Sequence, residues 1–388
     1  MKIVDGNRIT LLKDGAEFFP ALIAAIDGAT RDVRVETYIF RQDPTGDKIA
    51  DALIHAAQRG VTVRLMIDGV GSRDTPEIFF ARMRDAGVRT LEFRPDRRAF
   101  HFSKTRLRRN HRKLALIDGR VGFVGGINLL DDLNESLSEH PRYDYAVQVE
   151  GPVLAQIYPA MQQLWAQVAS KYGVTIRRRE QGEVPMTVAP APAGTHRAMF
   201  VTRDNFRHRR SIEHMYIYAI KHATTRVLLV CPYFLPGRRL RRTLLAAAKR
   251  GVAITILLQG RADHPLLQMA TRALYTRLLG AGIRVCEYEK SMLHGKVATI
   301  DDNWATVGSS NLDPFSLFLN REANMLVLDE SFARQLRESV EAEMAGGAIN
   351  CRAEDWHRRS MWVRIQTWFA YGFARWAAGL IGFAKRWE

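Results

Sequence analysis

An internal duplication constrains this chain more than any other feature. The segment LIHAAQRGVTVRLMIDG from Leu53 aligns with LLAAAKRGVAITILLQG from Leu244, and RMRDAGVRTLEF from Arg82 aligns with RLLGAGIRVCEY from Arg277. Each copy reads as an amphipathic helix, a break at glycine and an alternating strand. Upstream, VRVETYIF at Val33 and VLLVCPYF at Val227 are further candidate strands in the same order. A repeated strand and helix alternation predicts an α/β fold made twice, each copy a mixed β-sheet flanked by helices. The length of 388 residues suits two such domains. Their predicted spans are 1–176 and 195–350, joined by a linker over 177–194, where RRREQGEVPMTVAPAPAG combines charge and prolines with little helical periodicity.

Each half carries the same spaced set of polar residues just after its repeated strand. The first is His111, Lys113, Asp118, Gly125 and Asn128; the second is His294, Lys296, Asp301, Gly308 and Asn311. One His-x-Lys could arise by chance, but a doubled five-residue pattern at fixed offsets could not. The bland alternative, paired surface strands kept from the duplication, leaves that chemistry unexplained. Alternation puts His and Lys on one strand face, so both pairs can converge on one phosphate.

One imidazole can attack phosphorus while the other, protonated, protonates the leaving oxygen. Lys113 and Lys296 supply charge for the non-bridging oxygens, and Asn128, Asn311 and Ser309 add neutral donors. Asp118 and Asp301 complete the catalytic motif, although their place where each strand meets its turn favours a structural role. No metal or other cofactor is expected, because there is no HExxH motif and no tight carboxylate cluster.

The doubled HxKxxxxD, followed by GGxN or GSxN, resembles the phospholipase D superfamily from about Asp5 to Leu328. That resemblance implies two phospholipase D-like domains packed with pseudo-two-fold symmetry around one active site. It further implies a covalent phosphohistidine, usually on the N-terminal motif and so on His111, with His294 as acid and then base. Family members orient each imidazole with a downstream carboxylate, which makes Glu322 the candidate for His294 and Asp144 the candidate for His111. Within the superfamily, NLDPFSLFLNREANMLVLD and the paired YIF and PYF strands are similar to the bacterial cardiolipin synthases, which are phosphatidyltransferases. Without an N-terminal membrane-spanning pair, the chain is closer to the shorter type, cardiolipin synthase B. Asp313-Pro314-Phe315-Ser316 departs from the family's usual Arg-Ser after Asp-x.

The expected reaction moves a phosphatidyl group from phosphatidylglycerol to a second lipid or polyol alcohol. The same site could instead hydrolyse phosphodiesters as a phospholipase D or nuclease. A non-catalytic binding protein is disfavoured by intact motifs in both halves.

Charge and the C-terminus point towards lipid. A net charge of +16 favours polyanions. Between Phe93 and His111 the first half has an insertion, RPDRRAFHFSKTRLRRN, that the second lacks. It could hold lipid headgroups or a nucleic-acid backbone, the competing reading being a solvated charged loop. Tryptophans at 356, 362, 368, 376 and 387 are crowded into the region 351–388, which is read as an amphipathic interfacial helix rimmed by arginines. The competing reading is a helix packed on the catalytic body.

The opening MKIVDGNRITLLKDG has no secretory apolar core, and Cys231, Cys286 and Cys351 form no CxxC pair. The expected location is therefore peripheral, on the cytoplasmic face of the bacterial inner membrane. The expected partner is an anionic phospholipid membrane rather than nucleic acid.

Overall fold

The structure, a computed structural model, describes residues 2–95, 107–133, 140–172, 190–205, 207–261, 265–354 and 361–378. In the first half the chain runs β1 (Val4–Lys13), α1 (Asp14–Asp27), β2 (Asp32–Thr37), α2 (Pro44–Gln58), β3 (Thr62–Asp68), α3 (Glu77–Asp85) and β4 (Arg89–Phe93). It continues through β5 (Lys113–Ile117), β6 (Val121–Gly125), β7 (Tyr145–Glu150) and α4 (Leu154–Lys171).

The second half follows the same course. It runs β8 (His196–Arg203), α5 (Ser211–His222), β9 (Arg226–Val230), α6 (Arg238–Lys249), β10 (Ala253–Gln259), α7 (Pro265–Arg272), α8 (Tyr275–Leu279) and β11 (Arg284–Tyr288). Then come β12 (Val297–Ile300), β13 (Trp304–Gly308), α9 (Pro314–Phe318), β14 (Glu322–Leu328), α10 (Glu330–Gly347), β15 (Ala348–Asn350) and α11 (Met361–Ala378).

Local chemistry explains several boundaries. Gly60 and Gly251 end the duplicated helices with φ of 88° and 91°, a left-handed conformation that a side chain would strain, so the helix-to-strand break recurs at both. Asp43 caps α2 by accepting the Gly46 N–H at 2.8 Å, with Pro44 in the first turn. Asp313 does the same for α9, accepting from the Phe315 and Ser316 N–H groups at 2.7 and 3.0 Å. The Asp-Pro-Phe-Ser departure is thus a capped helix start.

The spatial order β1-β7-β6-β5-β2-β3-β4 recurs as β8-β14-β13-β12-β9-β10-β11, with β15 added at the far edge. Within each copy β2–β3–β4 and β9–β10–β11 are parallel, and the remaining pairings are antiparallel. The sheet is mixed, as expected. The copies join edge to edge where β1 meets β8 antiparallel, with Val4 opposite Ala198 and Asn7 opposite His196. Asn7, fully buried, fixes this seam by donating to the carbonyls of Val4 and His196 and accepting from the Val153 N–H. At the end of the expected linker, the Ala193 N–H donates to the Gly6 carbonyl at 2.8 Å, while 177–189 lies outside the described residues.

One hydrophobic core lies under α1 to α3, including Ile49, Leu53, Val63 and Phe79, and another under α5 to α8. A further core is shared: Leu116, Val147 and Ile157 of the first half pack with Val297, Met325 and Leu336 of the second. This burial presses the two sheets' inner faces together and makes a site between them possible.

Helix α11 has one face on the body and one turned outward. Thr367, Ala370, Tyr371 and Ala374 are buried, part of this face packing on α7, and the Tyr371 hydroxyl accepts from Arg241 Nη1 at 2.7 Å. Its other face leaves Trp362, Trp368, Phe369, Phe373 and Trp376 more than half exposed. Trp356 and Trp387 of the expected interfacial segment lie outside the described residues.

Candidate active site

The two histidines enter the site on segments that pair with the opposite half. His111 stands just before β5, and its N–H donates to the Arg321 carbonyl at 2.9 Å, while the Arg321 N–H donates to the Arg109 carbonyl at 2.8 Å. His294 stands before β12, and its N–H donates to the Tyr143 carbonyl at 2.8 Å, while the Tyr143 N–H donates to the Met292 carbonyl at 2.9 Å. Each entry is anchored similarly from behind. Asp68 accepts the Asn110 N–H at 2.8 Å, and Gln259 accepts the Leu293 N–H at 2.9 Å. The duplication is therefore closed by two reciprocal bridges.

These bridges reverse the expected carboxylate assignment. Glu322 hydrogen-bonds His111, with Nδ1 3.1 Å from Oε2, and Asp144 hydrogen-bonds His294, with Nδ1 2.6 Å from Oδ2. Glu322 follows directly on Arg321, which pairs with the first half, and Asp144 follows directly on Tyr143, which pairs with the second. Each carboxylate thus lands beside the other half's imidazole. Both are buried, which alone would raise their pKa values; His111 and Lys113 hold Glu322 below the usual carboxylate range, and Lys296 and His294 do so for Asp144. An ionised carboxylate only accepts, so each Nδ1 carries the proton and each Nε2 keeps its lone pair for the cavity.

The copies differ around these carboxylates. Ser309 Oγ donates to Glu322 Oε2 at 2.5 Å and accepts the Ala323 N–H at 3.0 Å. At the matching position a Cβ on Gly126 would lie 2.2 Å from Asp144 Oδ1. The longer Glu322 leaves room for a hydroxyl, and the Asp144 side demands glycine. Ser309 therefore supports Glu322 rather than facing phosphate directly. The His111 ring also rests against Tyr38, with centroids 4.9 Å apart, and Lys113 Nζ lies 5.3 Å from the same ring's centre.

Burial pushes His111 down from its ordinary pKa, with Glu322 opposing and Lys113 adding to the fall. His294 is pushed well down by burial and by Lys296, with Asp144 opposing. Lys113 falls to about 7 through burial and repulsion from Lys296, and Lys296 falls to about 8 through burial. Lys113 donates to the His111 carbonyl at 3.0 Å, and Lys296 donates to that of His294. The two ammonium groups are buried close together, and a phosphate between them would favour the charged form of both.

Asn128 accepts the Ile39 N–H at 3.2 Å through Oδ1, which leaves its NH2 group for the cavity. Asn311 also lines the cavity, but its amide donates to the Asp313 carboxyl, whose pKa burial raises to about 6. Asp118 and Asp301 sit at the far ends of β5 and β12 from the histidines, with φ of 51° at both. Asp118 accepts from the N–H groups of Thr30, Arg31 and Asp32, each at 2.8 Å. Asp301 accepts from those of Thr224, Thr225 and Arg226, and against the effect of burial these donors hold its pKa down at about 2. Their placement in the catalytic motif is corrected accordingly: they clamp the turn to β2 and β9 and do not touch the reacting centre.

The two imidazoles open on one cavity of about 590 Å3, lined also by Tyr38, Arg41, Arg109, Arg142, Tyr233 and Leu267. The motifs gave no sign of these residues, although Tyr38 and Tyr233 lie in the YIF and PYF repeats. Arg109 is locked onto buried Asp68 at 2.6 Å. Leu107 and Arg109, the described end of the basic insertion, reach the cavity wall, while 96–106 lies outside the described residues. Cys231 and Cys286 are buried in the hydrophobic cores. Among the described residues no group of three or more His, Cys, Asp and Glu side chains could hold a metal ion, and no helix is long and apolar enough to cross a membrane.

The family described as "Cardiolipin synthase, PLD-like domain" matches residues 22–165 and 216–344. Cardiolipin synthase B of Salmonella typhimurium is 37% identical over 378 residues, covering 97% of this chain and 90% of that protein. Cardiolipin synthase B of Escherichia coli (strain K12) is 36% identical over the same coverage. Cardiolipin synthase A of Pseudomonas putida is 32% identical over 347 residues, covering 88% of this chain and 69% of that protein. In fold, the chain is similar to phosphatidylserine synthase of Haemophilus influenzae, with a TM-score of 0.68 at 13% identity over 96% of this chain and 94% of that one.

Proposed function

This chain belongs to the cardiolipin synthases built on the phospholipase D-like domain, and from that premise we propose that its single site transfers a phosphatidyl group from phosphatidylglycerol to a second phospholipid alcohol. It is a phosphatidyltransferase whose phosphohistidine we place on His111. The observation that carries this reading is the pair of imidazoles, each holding a carboxylate from the opposite half and each facing the same cavity.

In the first step Nε2 of His111 bonds to phosphorus as the bond to glycerol's oxygen breaks, and protonated His294 passes its proton to that oxygen. An incoming phosphodiester anion favours this protonation, offsetting the fall that burial and Lys296 impose on His294. In the second step His294 takes the proton of the acceptor hydroxyl, whose oxygen bonds to phosphorus as the N–P bond breaks. Lys113, Lys296 and the Asn128 amide stabilise the non-bridging oxygens throughout. Tyr38 holds the His111 ring from the side, a support for which the other half offers Pro232.

Substrate access is supported by helix α11. It packs on α7, and α7 also contributes Leu267 to the cavity wall, so the exposed Trp and Phe face lies one helix away from the site. Tryptophan on an exposed apolar face, with a net charge of +16, suits docking on an anionic lipid surface. Free cysteines fit a reducing compartment, so we place the protein peripherally on the cytoplasmic face of the bacterial inner membrane.

Incubation of the purified protein with phosphatidylglycerol vesicles, followed by lipid analysis, tests the reaction. Cardiolipin and glycerol should appear together. Phosphatidic acid as the sole product would instead make the protein a hydrolase.

A further inference from the structure

The reaction joins two phosphates through one glycerol, yet the duplicated machinery provides for one. Both histidines and both lysines are related by the pseudo-two-fold and converge on the donor phosphate. A group that recognises the acceptor's own phosphate, a glycerol length away, must break that symmetry. Arg41 is such a break. Its N–H donates to the Leu129 carbonyl at 3.0 Å, as the Leu235 N–H donates to the Leu312 carbonyl at 2.9 Å, so the two positions correspond. Where the first half brings a guanidinium to the cavity wall, the second has a leucine with 1% exposure.

Arg41 also differs from the other arginines of the cavity. Arg109 is committed to Asp68, and Arg142 lies beside Asp132, whose carboxyl it influences. Among the described residues no hydrogen bond or ion pair is made by the Arg41 guanidinium. With the donor phosphate balanced by the lysine pair, Arg41 supplies a further positive charge at the cavity wall, suited to a charge-assisted contact with a second anion.

Resting on the phosphatidyltransferase reading above, we propose that Arg41 is a specificity-determining residue that binds the phosphate of the acceptor. It thereby selects a phosphate-bearing lipid alcohol over water or a free polyol. Neutral acceptors gain nothing from it, so Arg41 biases the phosphohistidine towards transfer to a second phospholipid.

The test uses the full chain with phosphatidylglycerol vesicles and isotopically labelled glycerol in solution. Cardiolipin formation reports the phosphorylated acceptor, and label entering phosphatidylglycerol by exchange reports a neutral one through the same intermediate. Arg41→Leu, which installs the residue of the other half, should lower the ratio of cardiolipin to exchange about tenfold, the loss of one charge-assisted contact. It should also raise the phosphatidylglycerol concentration needed for half-maximal cardiolipin formation. Arg41→Lys, keeping the charge, should recover a large part of the ratio. An unchanged ratio in Arg41→Leu, or an equal fall of both products, overturns the inference. If the wild-type chain gives neither product, the phosphatidyltransferase reading itself fails, and that is seen before any variant is made.

Discussion

Glu322 and His111 stand 211 positions apart in the chain, yet their side chains meet at 3.1 Å across the boundary between its two halves. Asp144 and His294 repeat the arrangement at 2.6 Å in the opposite sense. Neither half can complete its own imidazole, so the active site exists only when both copies are folded and docked.

That exchange can be read directly by NMR titration of the two imidazoles. Glu322 raises the His111 pKa against the effect of burial, so Glu322→Gln should lower it further and leave His294 nearly unmoved. Asp144→Asn should do the converse. Turnover should fall by roughly 10^3 or more in each, as when a histidine loses its orienting carboxylate. Movement of the same-half histidine instead would refute the cross-pairing.

Phosphate affinity should weaken on the alkaline side. Burial and repulsion from Lys296 bring Lys113 down to about 7, burial brings Lys296 down to about 8, and only their charged forms attract a phosphate. Because a bound anion raises both values, the Kd for inorganic phosphate should stay low below about pH 7. Above about pH 8 it should climb by up to about tenfold per pH unit for each proton taken up on binding. Lys113→Met should weaken binding at neutral pH and flatten this slope. Calorimetric titration at several pH values measures both, and a Kd independent of pH from 6 to 9 contradicts the expectation.

Asp118→Ala and Asp301→Ala should affect folding rather than chemistry. Each removes a carboxylate that gathers backbone donors at a turn, at a cost of about 1–2 kcal/mol given partial exposure to solvent. The folded Asp301 pKa of about 2 lies below its unfolded value. Its stabilisation is therefore present above about pH 4 and lost as the pH falls towards 2. Denaturant melts should shift accordingly while kcat at saturating substrate stays within about threefold. A loss of kcat by orders of magnitude in a folded variant would restore these residues to the catalytic set.

The two faces of α11 should separate under mutation. Trp368→Ser with Phe369→Ser, on the exposed face, should reduce sedimentation with anionic vesicles and leave the melting temperature unchanged. Tyr371→Ala, which removes the hydroxyl bonded to Arg241 and a buried ring, should lower the melting temperature first. Equal effects of both on melting would mean that the apolar face is covered by protein.

Much of this molecule was legible before any coordinates. The helix-glycine-strand repeats at Leu53 and Leu244 announce the mixed sheet, because periods of 3.6 and 2 report which face each short segment must bury. The doubled His, Lys and Asn pattern announces one phosphodiester site, since only shared chemistry keeps five offsets identical. Which carboxylate serves which histidine was not legible. Glu322 and Asp144 each follow their own motif, and exchanging them leaves every local pattern intact.

That choice is made by docking, when the shared core presses the inner faces together and Arg321 and Tyr143 pair with strand entries of the other half. The same holds for Arg41, an ordinary arginine in the chain whose place on the cavity wall, without a side-chain partner among the described residues, appears only in the folded molecule. Local patterns set what each segment can bury and what each site residue can do. Contacts between segments hundreds of residues apart depend on the summed packing of both halves, and no short window of sequence contains that sum.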